Sequence, residues 1–130
     1  MGRKYIDDLG INYESTPQGW NPDDKRKEQW GKEREEYGFD ERETWSLYYT
    51  VDLFLYERLY DYNKYAPIKR NCHKFQYKNE EITFQECLDR MIEGLTIRLT
   101  ILDYTWTEEQ REKAEDVYNI YALCNRCLWW

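Results

Sequence analysis

Apolar positions recur at helical spacing along three long stretches of this chain, with turn-forming residues between them. The longest stretch is DERETWSLYYTVDLFLYERLYDYNKY, from Asp40 to Tyr65. Placed at about 100° per residue, Glu43, Ser46, Thr50, Glu57, Asp61 and Lys64 fall on one narrow polar stripe. Trp45, Leu47, Tyr48, Tyr49, Val51, Leu55, Tyr56, Leu59 and Tyr62 cover most of the remaining circumference. A helix this apolar is expected to be packed on several sides. Asp40 suits its N-cap, with Glu43 three residues on, and Gly38 suits the C′ position of a preceding helix. Pro67 ends the pattern, because it cannot continue a helix and disfavours helical geometry at Ala66.

The flanking stretches are read in the same way. Residues 1–20 show no period and are punctuated by Gly10, Pro17 and Gly19, so an irregular N-terminal arm is expected. Asn21-Pro22-Asp23-Asp24 reads as a helix start, followed by a mostly charged helix to Tyr37 with Trp30 and Tyr37 as its anchors. In the segment 74–83, Phe75 and Tyr77 alternate with polar residues, Lys78-Asn79 can turn and Ile82 follows, which allows a short β-hairpin. Thr83 with Glu86 is a capping box, and a helix from Phe84 to Leu102 carries Phe84, Leu88, Met91, Leu95, Leu99 and Leu102 on one face. Thr107 with Gln110 makes another capping box, and the helix beyond it aligns Ala114, Val117, Tyr121, Cys124 and Leu128. The expected fold is mainly α. It is a compact bundle of three to four helices around the central apolar helix, forming a single domain over 1–130. Leu55, Leu59, Leu95 and Val117 are central on their faces and are expected to be buried.

The 130 residues suffice for a real core without disulfide or metal support. The formal net charge of -7 argues against direct nucleic-acid binding, which needs clustered Lys and Arg. It permits an acidic surface that meets the basic, nucleic-acid-binding face of another protein. No run of signal-peptide character and no stretch of membrane-spanning length occurs, and Ile6 breaks the myristoylation pattern that Gly2 would begin. A soluble cytoplasmic protein with no membrane partner is expected.

Two charges interrupt apolar faces. Asp52 stands opposite the polar stripe of the central helix, and Arg98 stands at the edge of the apolar face of the next long helix. A buried carboxylate is costly unless it is paired or hydrogen-bonded. Asp52 is therefore read as a structural residue held by Arg98 or by a Tyr or Trp, ahead of a general base of raised pKa. Cys72, His73, Cys124 and Cys127 could in principle hold zinc, and Cys124-Asn125-Arg126-Cys127 has CxxC spacing. That CxxC falls within a predicted helix with Cys124 on the core side and has no second CxxC. Packing is the reading preferred over zinc or thiol redox chemistry, and no metal or cofactor is expected. His73, the one histidine, lies among Lys69, Arg70, Lys74 and Lys78 in a basic loop. No phosphate loop, GxSxG or HExxH is present, so no catalytic residue is assigned. Candidate partner-binding residues are the acids Glu108, Glu109, Glu112, Glu115 and Asp116, together with Trp129 and Trp130. The two tryptophans either close the core, the preferred reading, or form an adhesive patch.

The run Tyr37-Gly38-Phe39-Asp40-Glu41-Arg42-Glu43-Thr44-Trp45-Ser46-Leu47, with Tyr49-Thr50 and Leu55-Tyr56-Glu57-Arg58-Leu59, resembles a group of small proteins of tailed phages and prophages. These share a GFD-R-TW-L--T helix start and a Trp-rich ending like Leu128-Trp129-Trp130. The likeness covers about half of the chain, and the group carries no assigned activity, so no site residue follows from it. It implies a phage accessory protein expressed in a bacterial host, a setting in which small acidic proteins often inhibit host defence nucleases, as anti-CRISPR proteins do. The leading expectation is therefore a non-enzymatic protein that binds a host protein, a defence nuclease foremost. A phage structural or replication accessory protein, and a small enzyme or nucleotide-binding protein using Asp52, remain as alternatives.

Overall fold

The computed structural model describes residues 25–66 and 73–129. The structure is mainly helical with one short hairpin, as the periodicity predicts. In chain order the elements are α1 (Lys27–Tyr37), α2 (Arg42–Trp45), α3 (Leu47–Tyr65), β1 (Lys74–Tyr77), β2 (Glu80–Thr83), α4 (Phe84–Thr100) and α5 (Glu108–Cys124). Short 3-10 turns follow α4 at Asp103–Thr105 and α5 at Asn125–Cys127. The chain divides into two compact units, Met1–Phe54 and Leu55–Trp130, so that Leu47–Phe54 of α3 belongs to the first and Leu55–Tyr65 to the second.

In the first unit the local chemistry is dominated by Asp40. α1 ends where Gly38, at φ 83°, turns its amide back to the Arg34 carbonyl, the left-handed C′ role read from the sequence. The buried Asp40 carboxylate accepts from Arg34 Nε at 2.5 Å, Arg42 Nη2 at 2.8 Å and Arg42 Nε at 2.9 Å. It also accepts the Arg42 amide at 2.9 Å, but the N-cap of α2 is Glu41, with no side-chain cap bond, so Asp40 stands one residue outside the N-cap position expected of it and the box with Glu43 does not form. Burial opposes ionisation of Asp40, but the bonds from Arg42 and Arg34 outweigh it and hold its pKa below the usual carboxylate value. Trp30 is buried beside this cluster. Its indole donates to Glu41 at 2.9 Å, Trp45 meets it edge-on at 5.8 Å between centroids, and the Arg42 guanidinium lies 4.5 Å over its ring. Tyr37, expected as a second anchor, is exposed instead, because it is the last residue of α1 and the chain turns away at Gly38.

The single helix expected from Asp40 to Tyr65 is interrupted. Ser46, at φ −128° and ψ 65°, separates α2 from α3. Nor is α3 packed on every apolar side: Asp52, Leu53, Tyr56 and Leu59 are buried, whereas Leu47, Tyr48, Val51 and Phe54 are exposed. Leu55 is half-buried and Leu59, Leu95 and Val117 are buried, so one of the four expected core positions falls short.

In the second unit the hairpin pairs Lys74 with Thr83 and Tyr77 with Glu80. Lys78 and Asn79 both take left-handed backbone, with φ 48° and 65°, the geometry that matches the twist of a two-residue hairpin. Two strands alone are marginal, and this pair gains support by feeding directly into α4. Both capping boxes form: Thr83 accepts the Glu86 amide and Thr107 the Gln110 amide, each at 3.1 Å. α4 and α5 pack along their lengths. Phe84, Leu88, Met91 and Leu95 from α4 and Ala114, Val117, Ile120 and Cys124 from α5 form a core closed to solvent. Ile120 takes the core position expected of Tyr121, which is half-buried.

Candidate partner-binding surface

The connection between α4 and α5 is short and heavily bonded. α4 stops at Thr100, and Ile101 is extended, at φ −121° and ψ 128°. Thr105 donates from its amide and from its hydroxyl to the Leu102 carbonyl, at 2.9 and 2.7 Å. The Trp106 amide donates to Asp103 at 3.2 Å, and the Trp106 indole reaches the Ile101 carbonyl at 2.9 Å. From the first turns of α5, Arg111 donates to the Asp103 carbonyl at 3.3 Å and lies 5.5 Å over the Trp106 ring. These bonds fix both ends of the turn. They leave Leu102 62% and Tyr104 79% exposed, a leucine and a tyrosine held outward on a rigid support.

Leu102 thereby corrects the sequence reading, which placed it as the last core residue of α4. Tyr104 was not singled out at all. The signal was present in the Thr107–Gln110 capping box: a helix beginning at Glu108 makes residues 101–106 a connection, where apolar side chains more often serve binding than packing.

The acids of α5 share one face beside this turn. At about 100° per residue Glu108, Glu109, Glu112, Glu115 and Asp116 span roughly a third of the circumference. Three of them are already matched within the chain. Lys113 pairs with Glu93 at 2.7 Å and Glu109 at 3.2 Å, and these bonds, that to Glu93 first, raise its pKa. Lys78 pairs with Asp116 at 2.8 Å and Glu112 at 3.7 Å, and the Asp116 bond raises its pKa in turn. The Tyr77 hydroxyl also donates to Asp116, and burial together with that bond raises the Tyr77 pKa. Glu108 and Glu115 are exposed, and no cation among the described residues pairs with either. The face is therefore weaker in net charge than its sequence suggests, with its unmatched charge at Glu108 and Glu115.

The remaining candidates are distributed elsewhere. Trp129 is 56% exposed, so it does not close the core; its carbonyl accepts from the Tyr62 hydroxyl at 3.1 Å. Trp130 lies outside the described residues, as do Cys72 and the N-terminal arm. Asp52 is buried, at 2% exposure, as its place on the helix predicts. Arg98 is half-buried; its Nη1 donates to the Ala114 carbonyl at 3.3 Å, and its guanidinium lies 5.3 Å over Tyr118. Cys87 and Cys124 are both buried, and the bond to Cys87 together with burial pushes the Cys124 thiol up, so it stays protonated and inert. Among the described residues no group of three or more His, Cys, Asp or Glu is arranged to hold a metal ion, and no helix is long and apolar enough to cross a membrane.

Comparison with protein-family models, with curated proteins and with solved structures finds no match to this chain.

Proposed function

We propose that this chain is a non-enzymatic phage accessory protein that works by binding another protein, and that its target is a host defence nuclease in the bacterial cytoplasm. The carrying observation is the turn between α4 and α5, which holds Leu102 and Tyr104 out of the fold beside the unmatched Glu108 and Glu115. Tyrosine is among the residues that contribute most at protein interfaces, because it supplies area at low entropic cost. A pocket with apolar walls and a basic rim is the complement of this surface, and nucleic-acid-binding grooves carry such rims. The resemblance of residues 37–59 to small proteins of tailed phages supplies the setting.

The test is a plaque assay on hosts that each carry one active nuclease defence and express this chain. Restored plaquing, lost with Tyr104→Ala while circular dichroism of the variant is unchanged, supports the reading. No restoration on any host of a panel spanning the main nuclease types overturns it. Association with a virion or replication protein of the encoding phage would replace it with an accessory role in phage assembly or replication.

A further inference from the structure

The break between α2 and α3 interrupts a pattern that does not itself break. At about 100° per residue Glu43, Ser46 and Thr50 share one arc of about 60° with Glu57, Asp61 and Lys64, so the polar stripe passes through Ser46 in phase. On the same projection Trp45 shares an arc of about 60° with Asp52, Tyr56 and Leu59. Those three are buried, whereas Trp45, in the bent chain, is 42% exposed. An unbroken helix would bring Trp45 into line with the buried face of α3.

The junction replaces helical bonds with others of its own. A continuous helix gives the Glu43 carbonyl the Leu47 amide, and the Trp45 carbonyl the Tyr49 amide. Here the Glu43 carbonyl accepts from the Thr50 hydroxyl at 2.8 Å, and the Tyr49 amide donates to the Ser46 carbonyl at 3.0 Å. Residues seven apart are separated by about 10.5 Å along a straight helix, so the Thr50 bond to Glu43 exists only while the chain is bent. Ser46, at φ −128° and ψ 65°, takes up the bend.

α1 holds that bend from outside. The Trp30 indole donates to Glu41 at 2.9 Å and meets Trp45 edge-on at 5.8 Å. Glu33 accepts the Glu41 amide at 3.1 Å, and Arg34 donates to Asp40 at 2.5 Å and to Glu43 at 3.4 Å. Each of these contacts ties α1 to residues 40–45, and Trp30 is 1% exposed beneath them. We infer that Ser46 is a two-state hinge: α1 holds residues 40–45 off the axis of α3, and release of that hold joins α2 to α3 in one helix and uncovers Trp30. The hinge thus couples the length of a helix to the exposure of a tryptophan, a residue type that contributes strongly at interfaces.

Carbon-13 chemical shifts of the full chain in solution test this, because the Cα shift reports backbone conformation residue by residue. In the parent, Arg42–Trp45 and Leu47–Tyr65 should read as helical and Ser46 as non-helical. Trp30→Ala combined with Arg34→Gln removes every contact named above between α1 and residues 40–45 except the Glu33 bond. Ser46 should then move into the helical range while its neighbours on both sides stay helical. Thr50→Val, which takes away only the hydroxyl on the Glu43 carbonyl, should move Ser46 in the same direction by a smaller amount. A helical Ser46 in the parent, or an unchanged Ser46 shift in either variant, overturns the inference. Random-coil shifts from Arg42 to Ser46 in the double variant overturn it as well, because α1 would then support α2 without restraining a hinge.

Discussion

Gly94 of α4 lies directly against the backbone of Lys113 in α5. A β-carbon built on Gly94 would stand 2.5 Å from the Lys113 carbonyl oxygen and closer still to Cγ2 of Val117. The valine could give a little, but the carbonyl belongs to a helix backbone and cannot. The helix pair at the centre of the second unit is thus set at a distance that only glycine permits. Gly94→Ala should destabilise by about 3 kcal/mol, at the upper end of overpacking costs, despite the ~1 kcal/mol that alanine gains in helix propensity. Urea denaturation measures this; an unchanged or raised midpoint would mean that the helices are farther apart.

Asp40 should make stability fall in acid. Its pKa is depressed in the folded state, since the bonds from Arg42 and Arg34 outweigh the cost of burial. A depressed folded pKa contributes stability that is fully present above the unfolded value of about 3.9 and is lost as pH falls through the folded one. Asp40→Asn should cost about 3 kcal/mol at neutral pH, the low end for a broken buried pair because Arg34 still reaches solvent. The variant should also lose less than the parent does as pH falls below the unfolded value of about 3.9. Parallel acid limbs for the two proteins, followed by tryptophan fluorescence, would refute the role given to Asp40.

Asp52 should behave as a structural carboxylate. It is buried on the core side of α3, where an ionised group persists only with a donor to hold it. Asp52→Ala should destabilise by about 1–3 kcal/mol, the cost of leaving that donor without its acceptor. Asp52→Asn, which keeps one acceptor oxygen, should cost less. Binding should decline only in step with folding. Full stability in Asp52→Asn with binding abolished would mark a working carboxylate instead.

Much of this fold was legible because its signals are local. The Thr83–Glu86 and Thr107–Gln110 capping boxes, the Gly38 terminus and the Lys78-Asn79 turn each specify backbone geometry within four residues, and each formed as read, whereas the box read at Asp40–Glu43 did not, since α2 is capped at Glu41. Misreadings arose where a periodic pattern was extended past a local stop. The pattern from Asp40 to Tyr65 ran through Ser46, whose backbone leaves the helical region. The pattern of α4 was extended to Leu102, although Thr107 already required a connection before α5. Periodicity also reports that a face is apolar, not that something covers it. Leu47, Tyr48 and Val51 therefore read as core while lying in solvent. Salt-bridge partners were the least legible feature. Lys78 reaches Asp116 across 38 residues of chain, and Lys113 reaches Glu93 across the helix pair. Nothing in the spacing of the α5 acids shows which of them are already matched.

That matching separates two contributions to the proposed partner binding. Glu109, Glu112 and Asp116 face lysines of this chain, so removing their charge changes little outside it. Glu108 and Glu115 project unmatched charge and should act over distance, steering a basic partner before contact. Replacing both with Gln should slow association and flatten its salt dependence, with little change in dissociation. Tyr104 acts only on contact. Tyr104→Ala should leave association nearly unchanged and raise dissociation, at a cost of about 2 kcal/mol or roughly 30-fold in Kd. Surface plasmon resonance of the parent and both variants against a nuclease that the plaque assay identifies as the proposed target, at low and high salt, resolves the two rates. An association rate indifferent to salt would remove electrostatic steering from the reading and leave the apolar turn as the whole of the recognition. Equal dissociation rates for the parent and Tyr104→Ala would remove the turn.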